Sequence, residues 1–478
     1  MLTAIVTLAL LFLWAVLFSR FSGRVRFAIL CAGILVGGGL AAAVEIKGVS
    51  GDLIPIFRWK WKKARTVEVA KSSGLKATNI ASVSFPQFLG PDRNGVIRGI
   101  ILETNWAARP PQELWRHEVG EAWTGFVVED GIAVTQEQRG EEEWVTAYEL
   151  ETGKQIWTHA DSAHYATKIA GEGPRATPTI VGGRIYALGS TGILNCLDLA
   201  SGKLIWTKNL VTEHSTHVPE WGFAGAPLVY QGLVILNAGG KNGRSVVAHD
   251  AATGNFVWGG GDDSSGYSSP TVLDLCGIKQ AVVFTHSHVE AHDLSNGKIL
   301  WAHPWRTGTP HCAMPIQIST NRVLASQGYG VGSELLEISK TNENWNVERV
   351  WKSNRLKSKF ANLILHGGFV YGLDDGILAC IDPATGEQKW KGDRHGHGQM
   401  LLVGDVILLM AENGEVLLIS PSPEKEKIVA RFRALTSKTW NPPALAGEYL
   451  LVRNDVEAAC FKLPLASKLK VANDQAKR

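Results

Sequence analysis

Hydrophobic residues form two different patterns along this chain. Two long apolar runs, Met1–Phe18 and Phe27–Val44, open the sequence and are separated by three arginines. Each run is about the minimum length for a helix that spans a bilayer. After residue 80 the apolar residues instead occur in short runs between glycines and polar residues, with little sign of long amphipathic helices. This second pattern predicts short strands joined by tight turns.

The N-terminal pattern predicts a membrane segment over residues 1–46, with two transmembrane helices at about 1–18 and 27–44. A cleaved leader peptide is the alternative, because the alanines at 41–43 resemble a signal-peptide cleavage site. The arginines between the two runs indicate a cytoplasmic turn, whereas the basic residues at 58–65 indicate the opposite orientation. The sequence pattern alone therefore leaves the orientation open.

Charge separates the N-terminal part from the rest of the chain. Residues 1–80 carry 11 Lys and Arg against 3 Asp and Glu, whereas the remainder carries 37 basic and 42 acidic residues. The larger part is therefore mildly acidic, which argues against nucleic acid as a partner. Residues 47–84 are predicted to be a basic and aromatic juxtamembrane segment with a linker, and residues 465–478 a basic tail.

An internal repeat dominates residues 85–464. The segment at 147–157, Ala-Tyr-Glu-Leu-Glu-Thr-Gly-Lys-Gln-Ile-Trp, returns at 196–206 as Cys-Leu-Asp-Leu-Ala-Ser-Gly-Lys-Leu-Ile-Trp. Eight such segments end in an aromatic residue, at intervals of 39 to 52 residues, the last at Phe432. The seven others end in the predicted blade tryptophans, Trp115, Trp157, Trp206, Trp258, Trp301, Trp351 and Trp390. This spacing fits one four-stranded blade per repeat, so the sequence predicts an all-β, eight-bladed propeller of antiparallel blades.

The two ends of the repeat region complete one another. Within each repeat, the acidic residue and the glycine suit a tight turn between two strands, and the tryptophan that follows the turn can pack between neighbouring blades. The last unit has inner strands around 447–461 but no terminal Gly-x-x-x-Trp strand, while the strand ending at Trp115 has no preceding partners. Joining these two pieces completes an eighth blade and removes the open sheet edges.

These repeats resemble the tryptophan-docking repeats of the pyrroloquinoline-quinone (PQQ) propeller superfamily, over about residues 85–464. The opening Phe-Pro-Gln-Phe-Leu-Gly-Pro-Asp-Arg-Asn-Gly at 85–95 resembles that of uncharacterised bacterial members. The superfamily includes quinoprotein alcohol dehydrogenases and the propeller lipoprotein that assists outer-membrane barrel assembly. The resemblance implies the fold, whereas function has to be argued from the site.

A PQQ-dependent alcohol or sugar dehydrogenase is the alternative function that the resemblance raises. Such an enzyme holds a planar, tri-anionic quinone on an aromatic floor, with cationic or metal contacts and a carboxylate base. The superfamily's alcohol dehydrogenases also carry two adjacent cysteines over the quinone. The six cysteines of this chain include no adjacent pair, and no haem-attachment motif is present. We therefore predict no catalytic residue and no cofactor. The alternative function, a PQQ-dependent dehydrogenase, would require PQQ with Ca²⁺.

Candidate ligand-binding residues lie on loops at one face of the predicted propeller. In a propeller, a loop leads from the outermost strand of each blade to the innermost strand of the next blade. This loop lies at the same end of the propeller as the turn between the two middle strands of a blade. That end is here termed the top face. Acidic, basic and aromatic side chains are expected there around a funnel mouth. The predicted ligand-binding residues are Trp123, Glu137, Arg139, Arg175, Glu220, Trp221, Tyr267, His311 and Trp440.

Several of these residues also have a purely structural explanation. Arg175 can bond backbone carbonyls instead of a ligand, and Glu220 with Trp221 can anchor a loop. The glutamates at 141–143 are expected to form a solvated turn. His286 and His288 share a strand face but His292 lies in the turn region of the repeat, so no metal site is predicted.

These observations predict a membrane-anchored binding or scaffold propeller of the cell envelope rather than an enzyme. The fold repeats are intact, whereas the apparatus that holds a quinone is missing. We expect the protein in the bacterial inner membrane, with the propeller in the periplasm. The N-terminal helices are the predicted contact with the membrane, and an envelope protein or a small molecule is the predicted partner of the top face.

Overall fold

The computed structural model describes residues 2–61, 83–167 and 169–466. Most of the predicted linker and of the predicted basic tail therefore lies outside the described residues. The chain divides into two compact units, residues 1–65 with 168–170 and the remaining residues, which are described separately.

The N-terminal unit contains two helices and a hairpin. The helices span Leu2–Leu17 and Gly23–Ala43, close to the two predicted apolar runs. Gly33 permits their close approach, because a Cβ there would lie 2.3 Å from the Phe12 ring. By length and composition the second helix can cross a membrane. The first has 16 residues, about 24 Å at 1.5 Å per residue, which is shorter than the hydrocarbon core.

The basic and aromatic segment after the second helix forms a two-stranded hairpin, which the sequence pattern did not predict. Its strands, Val44–Val49 and Pro55–Trp59, pair antiparallel. Arg58 Nε donates to Glu45 Oε1 at 2.8 Å across the hairpin. Trp59 and Trp61 stack with ring centroids 4.6 Å apart. Basic and aromatic residues are thus held together in a defined β-structure.

The second unit is a propeller of eight antiparallel blades, numbered here in chain order, and its architecture confirms the predicted fold. Blade 1 consists of strands Val127–Glu129, Ile132–Arg139, Glu142–Glu149 and Gln155–Asp161. Blade 2 consists of Thr179–Val181, Arg184–Leu188, Ile193–Asp198 and Leu204–Asn209. Blade 3 consists of Leu228–Tyr230, Leu233–Gly240, Arg244–Asp250 and Phe256–Gly260. Blade 4 consists of Thr271–Leu275, Ile278–Phe284, His288–Asp293 and Ile299–Pro304.

The remaining four blades follow the same plan, with the strands of each blade in order from the innermost outward. Blade 5 consists of Ile316–Ser319, Arg322–Gln327, Gly332–Thr341 and Asn344–Ser353. Blade 6 consists of Ile364–His366, Phe369–Asp374, Ile377–Ile381 and Gln388–Arg394. Blade 7 consists of Gln399–Val403, Val406–Met410, Glu415–Ile419 and Ile428–Arg433. Blade 8 consists of Ala444–Ala446, Tyr449–Arg453, Glu457–Lys462 and the N-terminal strand Gln112–Glu118. Three short pieces add to this plan: strands Ala166–Thr167 and Gly171–Glu172 pair in one loop, and helix Leu210–Glu213 lies in another.

Blade tryptophans join neighbouring blades, as predicted. The Trp157 indole Nε1 donates to the Leu199 carbonyl of the next blade at 2.9 Å. Its ring lies against Gly202, where a Cβ would be 2.4 Å from the ring. Five further indoles donate in the same way to a carbonyl of the next blade, at 2.8 to 3.2 Å: those of Trp115, Trp206, Trp258, Trp351 and Trp390. Trp301 differs, because its indole donates to Gln280 Oε1 of its own blade.

The seam between the chain ends lies in blade 8 and confirms the predicted closure. Strand Gln112–Glu118 pairs antiparallel with Glu457–Lys462, and Trp115 lies opposite Cys460. Arg116 Nη1 also bonds Glu457 Oε2 at 2.6 Å. The ring is therefore closed by backbone and side-chain hydrogen bonds between segments more than 300 residues apart in sequence.

Residues 85–97, here termed the plug segment, cross the end of the central channel opposite the top face. Phe85 bridges Val128 of blade 1, and the Pro86 carbonyl accepts from Ile180 N of blade 2 at 2.7 Å. Strand Val96–Ile97 then pairs in parallel with the innermost strand of blade 7, which thereby gains a fifth strand. Between these contacts, Arg93 donates to the carbonyl of Pro227, which precedes the innermost strand of blade 3, across the ring from blade 7. Since the segment contacts opposite sides of the ring, it closes one end of the channel.

Candidate functional site

A cleft of about 130 Å³ opens on the top face, and four of the predicted ligand-binding residues line it. Loops from different blades bring them together, because every loop that follows an outermost strand ends at this face. Its lining residues are Glu220, Trp221, Gly266, Tyr267, His286, Gly308, Thr309, Pro310 and His311. The cleft therefore combines aromatic rings and imidazoles with one carboxylate at its exposed rim.

Backbone contacts fix the inner wall of this cleft. Tyr267 N donates to the His311 carbonyl at 3.1 Å. His311 is 2% exposed, and its Nε2 lies 2.7 Å from the His286 carbonyl. Burial lowers the pKa of His311 and raises the pKa of Tyr267, so both side chains are neutral at pH 7. A neutral, rigid wall of this kind suits the burial of an apolar or aromatic group.

A second part of the top face is a cluster of aromatic rings under a cation, which includes the predicted residues Trp123 and Trp440. Their ring centroids are 4.8 Å apart, and Phe360 lies 4.9 Å from Trp440. Lys438 Nζ lies 4.5 Å from the Trp123 centroid and 3.9 Å from the Trp440 centroid. Aromatic rings beside an ammonium group form an amphipathic surface typical of binding sites.

Arg175 lies on a loop of the same face and is engaged with the backbone. Its Nη2 donates to the Gly171 carbonyl at 3.0 Å, and its guanidinium also bonds the Gly173 carbonyl. The guanidinium carbon lies 4.7 Å from the Tyr165 ring centroid. Burial lowers the pKa of Arg175 to about 10, which still leaves the group charged at pH 7. These contacts hold the loop in place and keep a positive charge near the funnel.

Glu137 and Arg139 lie inside blade 1 rather than at the mouth of the funnel. Glu137 is fully buried and accepts hydrogen bonds from Gly120 N at 2.8 Å and from Tyr148 Oη at 2.5 Å. Its carboxylate also pairs with Arg139 at 3.0 Å. Although burial opposes ionisation, the nearby charges of Arg139 and Arg453 keep the pKa of Glu137 below its usual range. The structure thus separates this ion pair from the other predicted ligand-binding residues.

Glu143 corrects the prediction of a solvated turn at 141–143. Its side chain is folded into the protein, with 4% exposure, and accepts from Ser190 N at 3.1 Å. Burial is the main cause that raises its pKa, to about 7. Successive side chains of the strand that begins at Glu142 point to opposite sheet faces, so Glu143 is buried while Glu142 is exposed. Glu141 precedes the strand and is also exposed.

The raised pKa of Glu143 predicts a pH dependence of stability. The pKa of Glu143 is about 4.5 in the unfolded chain and about 7 in the folded chain. The contribution of this group to the free energy of unfolding is therefore fully present below pH 4.5 and is lost as the pH rises through 7. We expect Glu143→Gln to flatten the loss of roughly 2 kcal/mol that this group causes between pH 5 and pH 8. Urea unfolding at both pH values measures it, with exposed Glu141→Gln as the control. If the free energy of unfolding of Glu143→Gln fell between pH 5 and pH 8 as much as that of the unmutated chain, the effect would belong to another group.

Several residues of the top face were not predicted from the sequence. Gly308, Thr309 and Pro310 complete the cleft, and Lys438 covers the tryptophan pair. A Gly-Thr-Pro loop between two repeats was the available signal for the first three. Lys438 precedes Trp440 by two residues in the last loop between blades, but a lone lysine there gave no signal in the sequence.

The described top face does not fit a bound pyrroloquinoline quinone. The cleft of about 130 Å³ is small beside the roughly 300–1,000 Å³ of pockets that hold drug-sized ligands. In the aromatic cluster, Trp440 is covered by Trp123, Phe360 and Lys438, and Arg175 bonds backbone carbonyls. Cys312, which lies nearest the cleft in sequence, has no adjacent cysteine.

Comparison with known proteins yields relatives of two functional kinds. The family model described as outer membrane protein assembly factor BamB matches residues 141–392, more than half of the chain. The protein of that name from Moranella endobia (strain PCIT) is 22% identical over 293 residues, which cover 58% of this chain and 71% of the relative. The quinohemoprotein alcohol dehydrogenase of Comamonas testosteroni is 27% identical over 143 residues, which cover 27% of this chain and 19% of that enzyme.

A solved structure extends the comparison to the fold. The crystal structure of BamB from Moraxella catarrhalis superposes with a TM-score of 0.53 at 14% identity. The superposition covers 74% of this chain and 100% of that structure. At this identity the likeness shows the shared fold alone.

Proposed function

Because this chain belongs to the outer membrane protein assembly factor BamB family, we propose that its propeller is a non-catalytic binding module of the bacterial cell envelope. In this proposal the top face binds a segment of an envelope protein, as the name of the family suggests for assembly factors. The observation that carries it is the cleft formed by Trp221, Tyr267 and His311, on the same face as the aromatic cluster.

The size and chemistry of the cleft favour a protein segment over a cofactor. A volume of about 130 Å³ is suited to one large side chain rather than to a whole small molecule. Interfaces gain most of their binding energy from a few anchors, with Trp, Tyr and Arg over-represented. The Trp123 and Trp440 pair under Lys438 supplies a further anchor surface on the same face.

The N-terminal unit supplies the proposed attachment to the membrane. Helix Gly23–Ala43 is long and apolar enough to cross a bilayer, and the hairpin that follows it carries basic and aromatic residues suited to lipid headgroups. We place the helix in the inner membrane and the propeller in the periplasm. A reporter enzyme fused after Arg478 tests this, because activity restricted to a periplasmic reporter is expected and activity of a cytoplasmic reporter contradicts it.

Calorimetry with PQQ separates a binding module from a dehydrogenase. We expect no saturable heat and no change in the quinone absorbance when PQQ and Ca²⁺ are added to the full chain in detergent. The reason is that the cleft is too small and the aromatic cluster is covered. Stoichiometric binding, together with dye reduction in the presence of alcohols or sugars, would instead support the dehydrogenase alternative.

A further inference from the structure

Three potential metal ligands meet at the junction of blades 2 and 3, away from the cleft residues. Glu213 and His214 end the short helix Leu210–Glu213, which follows the outermost strand of blade 2. The Asn209 side chain caps this helix by accepting from the backbone N–H groups of the next residues at 3.0 and 3.2 Å. His249 lies on the third strand of blade 3. The cap thus fixes two of the ligands against the third.

The separations of the ligand atoms are close to those around a single metal ion. Nε2 of His214 lies 2.9 Å from Nε2 of His249 and donates a hydrogen bond to it, and a Zn²⁺ ion would take the place of this proton. One ligand atom from each of Glu213, His214 and His249 lies within 4.8 Å of the others. Ligands of one tetrahedral Zn²⁺ at bond lengths near 2.1 Å lie about 3–3.5 Å apart. The exposed Glu213 carboxylate can close the remaining gap by a change of rotamer, whereas both imidazoles are buried.

The second ring nitrogen of His249 is arranged as in metal-bound histidines. Its Nδ1 lies 2.9 Å from the Gly254 carbonyl, so Nδ1 carries the proton and Nε2 presents a lone pair towards His214. This tautomer makes Nε2 of His249 the metal-binding atom of the ring.

Blade 4 contains an internal comparison for this arrangement. His292 occupies the repeat position of His249, and its Nδ1 likewise lies 2.9 Å from a glycine carbonyl, that of Gly297. Its Nε2, however, lies 3.1 Å from Glu290 alone, without a second histidine. The repeat position therefore accounts for one buried histidine in each of these two blades. It does not account for a second imidazole and a carboxylate brought in by a capped helix.

Two cations modulate the electrostatics of this cluster. Lys208 Nζ lies 3.2 Å from Glu213, and the Arg244 guanidinium lies 3.6 Å from the Phe256 ring, which contacts both imidazoles. A metal ion competes with Lys208 for the Glu213 carboxylate. This competition argues for moderate affinity, and raising the ionic strength weakens the competing ion pair.

We propose that Glu213, His214 and His249 bind one Zn²⁺ ion, with water in the fourth position. The ion joins the loop after blade 2 to the third strand of blade 3. That loop continues to Glu220 and Trp221 of the cleft, so the metal holds a cleft-forming loop to the neighbouring blade.

Zinc titration of the full chain tests this site. The protein is purified in detergent without a histidine tag, stripped with a chelator and titrated with Zn²⁺ in a calorimeter. We expect one site per chain and a higher melting temperature with Zn²⁺. Because each imidazole is a direct ligand, His214→Gln and His249→Gln should each weaken this site by about 100-fold or more. The matched control His292→Gln should leave its affinity unchanged.

Glu213→Gln keeps the test independent of folding, because this side chain is exposed. It is expected to weaken the site by about 10-fold without a change in the metal-free melting temperature. Co²⁺ bound in place of Zn²⁺ should give visible absorption bands of a tetrahedral nitrogen and oxygen site. The proposal fails if the unmutated chain has no stoichiometric site, if His214→Gln and Glu213→Gln bind Zn²⁺ unchanged, or if His292→Gln loses binding equally.

Discussion

Replacing Gly202 with alanine is expected to lower the free energy of unfolding by about 4 kcal/mol. Gly202 has φ +70°, and an added Cβ would lie 2.4 Å from the Trp157 ring that docks on it from blade 1. The substitution therefore combines backbone strain with loss of tryptophan packing between two blades. Urea unfolding of the full chain, followed by tryptophan fluorescence, measures the effect.

Gly183 of the same blade is a matched control for this experiment. Its φ is also +70°, but an added Cβ would have no neighbour within 4 Å. Gly183→Ala should therefore show the backbone strain alone, about 1 kcal/mol. The difference between the two variants isolates the tryptophan contact. Equal losses in the two variants would mean that docking of Trp157 contributes little to the junction between blades.

Replacing Arg93 with methionine is expected to destabilise the propeller by about 3 kcal/mol. This buried side chain of the plug segment donates to the carbonyls of Pro270 at 2.8 Å, Pro227 at 3.2 Å and Ala226 at 2.6 Å. Burial lowers its pKa to about 9, so it remains charged at pH 7. Methionine keeps the approximate length but removes the donor to the buried carbonyls of Pro270 and Ala226, whereas Pro227 keeps its bond from Thr179 Oγ1. Unfolding measurements at pH 7 should detect this loss.

Arg98 is the control for the plug segment. It lies five residues further on, at the surface, and its partner is the exposed Asp92. Arg98→Met should change stability by less than about 0.5 kcal/mol, since exposed ion pairs contribute little. If Arg93→Met were equally mild, the plug segment would be a surface attachment rather than a structural part of the channel.

The fold could be predicted because its units repeat. Each tryptophan marks one blade, and the unpaired strand at Trp115 indicated the seam that pairs it with Cys460. The family and structural matches confirm the predicted PQQ-like superfamily. Trp301 shows the limit of the repeat, because its indole bonds Gln280 of its own blade instead of a carbonyl of the next. Blade 5 lacks the Gly-containing turn that receives the ring in blades 1, 2, 3, 4 and 6, and its two outer strands are joined by a tight turn at 342–343.

The top face could be predicted only in part. Glu220, Trp221, Tyr267 and His311 meet in one cleft because propeller topology sends all of their loops to one face. The positions of the other predicted residues depend on the direction of each side chain along its strand, which places Glu137 inside blade 1. Arg93 gave no signal, because the plug segment occurs once and its contacts are with backbone carbonyls of distant blades. The capped helix at 210–213 likewise has no counterpart in the repeat.

Photo-crosslinking in the native host tests most directly whether the top-face cleft binds an envelope protein. A photoreactive phenylalanine analogue replaces Trp221, and in a parallel strain it replaces Lys203, an exposed residue in a turn at the opposite face. We predict a discrete adduct with one envelope protein, identified by mass spectrometry, from position 221 and none from position 203. Absence of an adduct at 221, or the same adduct at 203, would contradict the assignment of the cleft as the binding site.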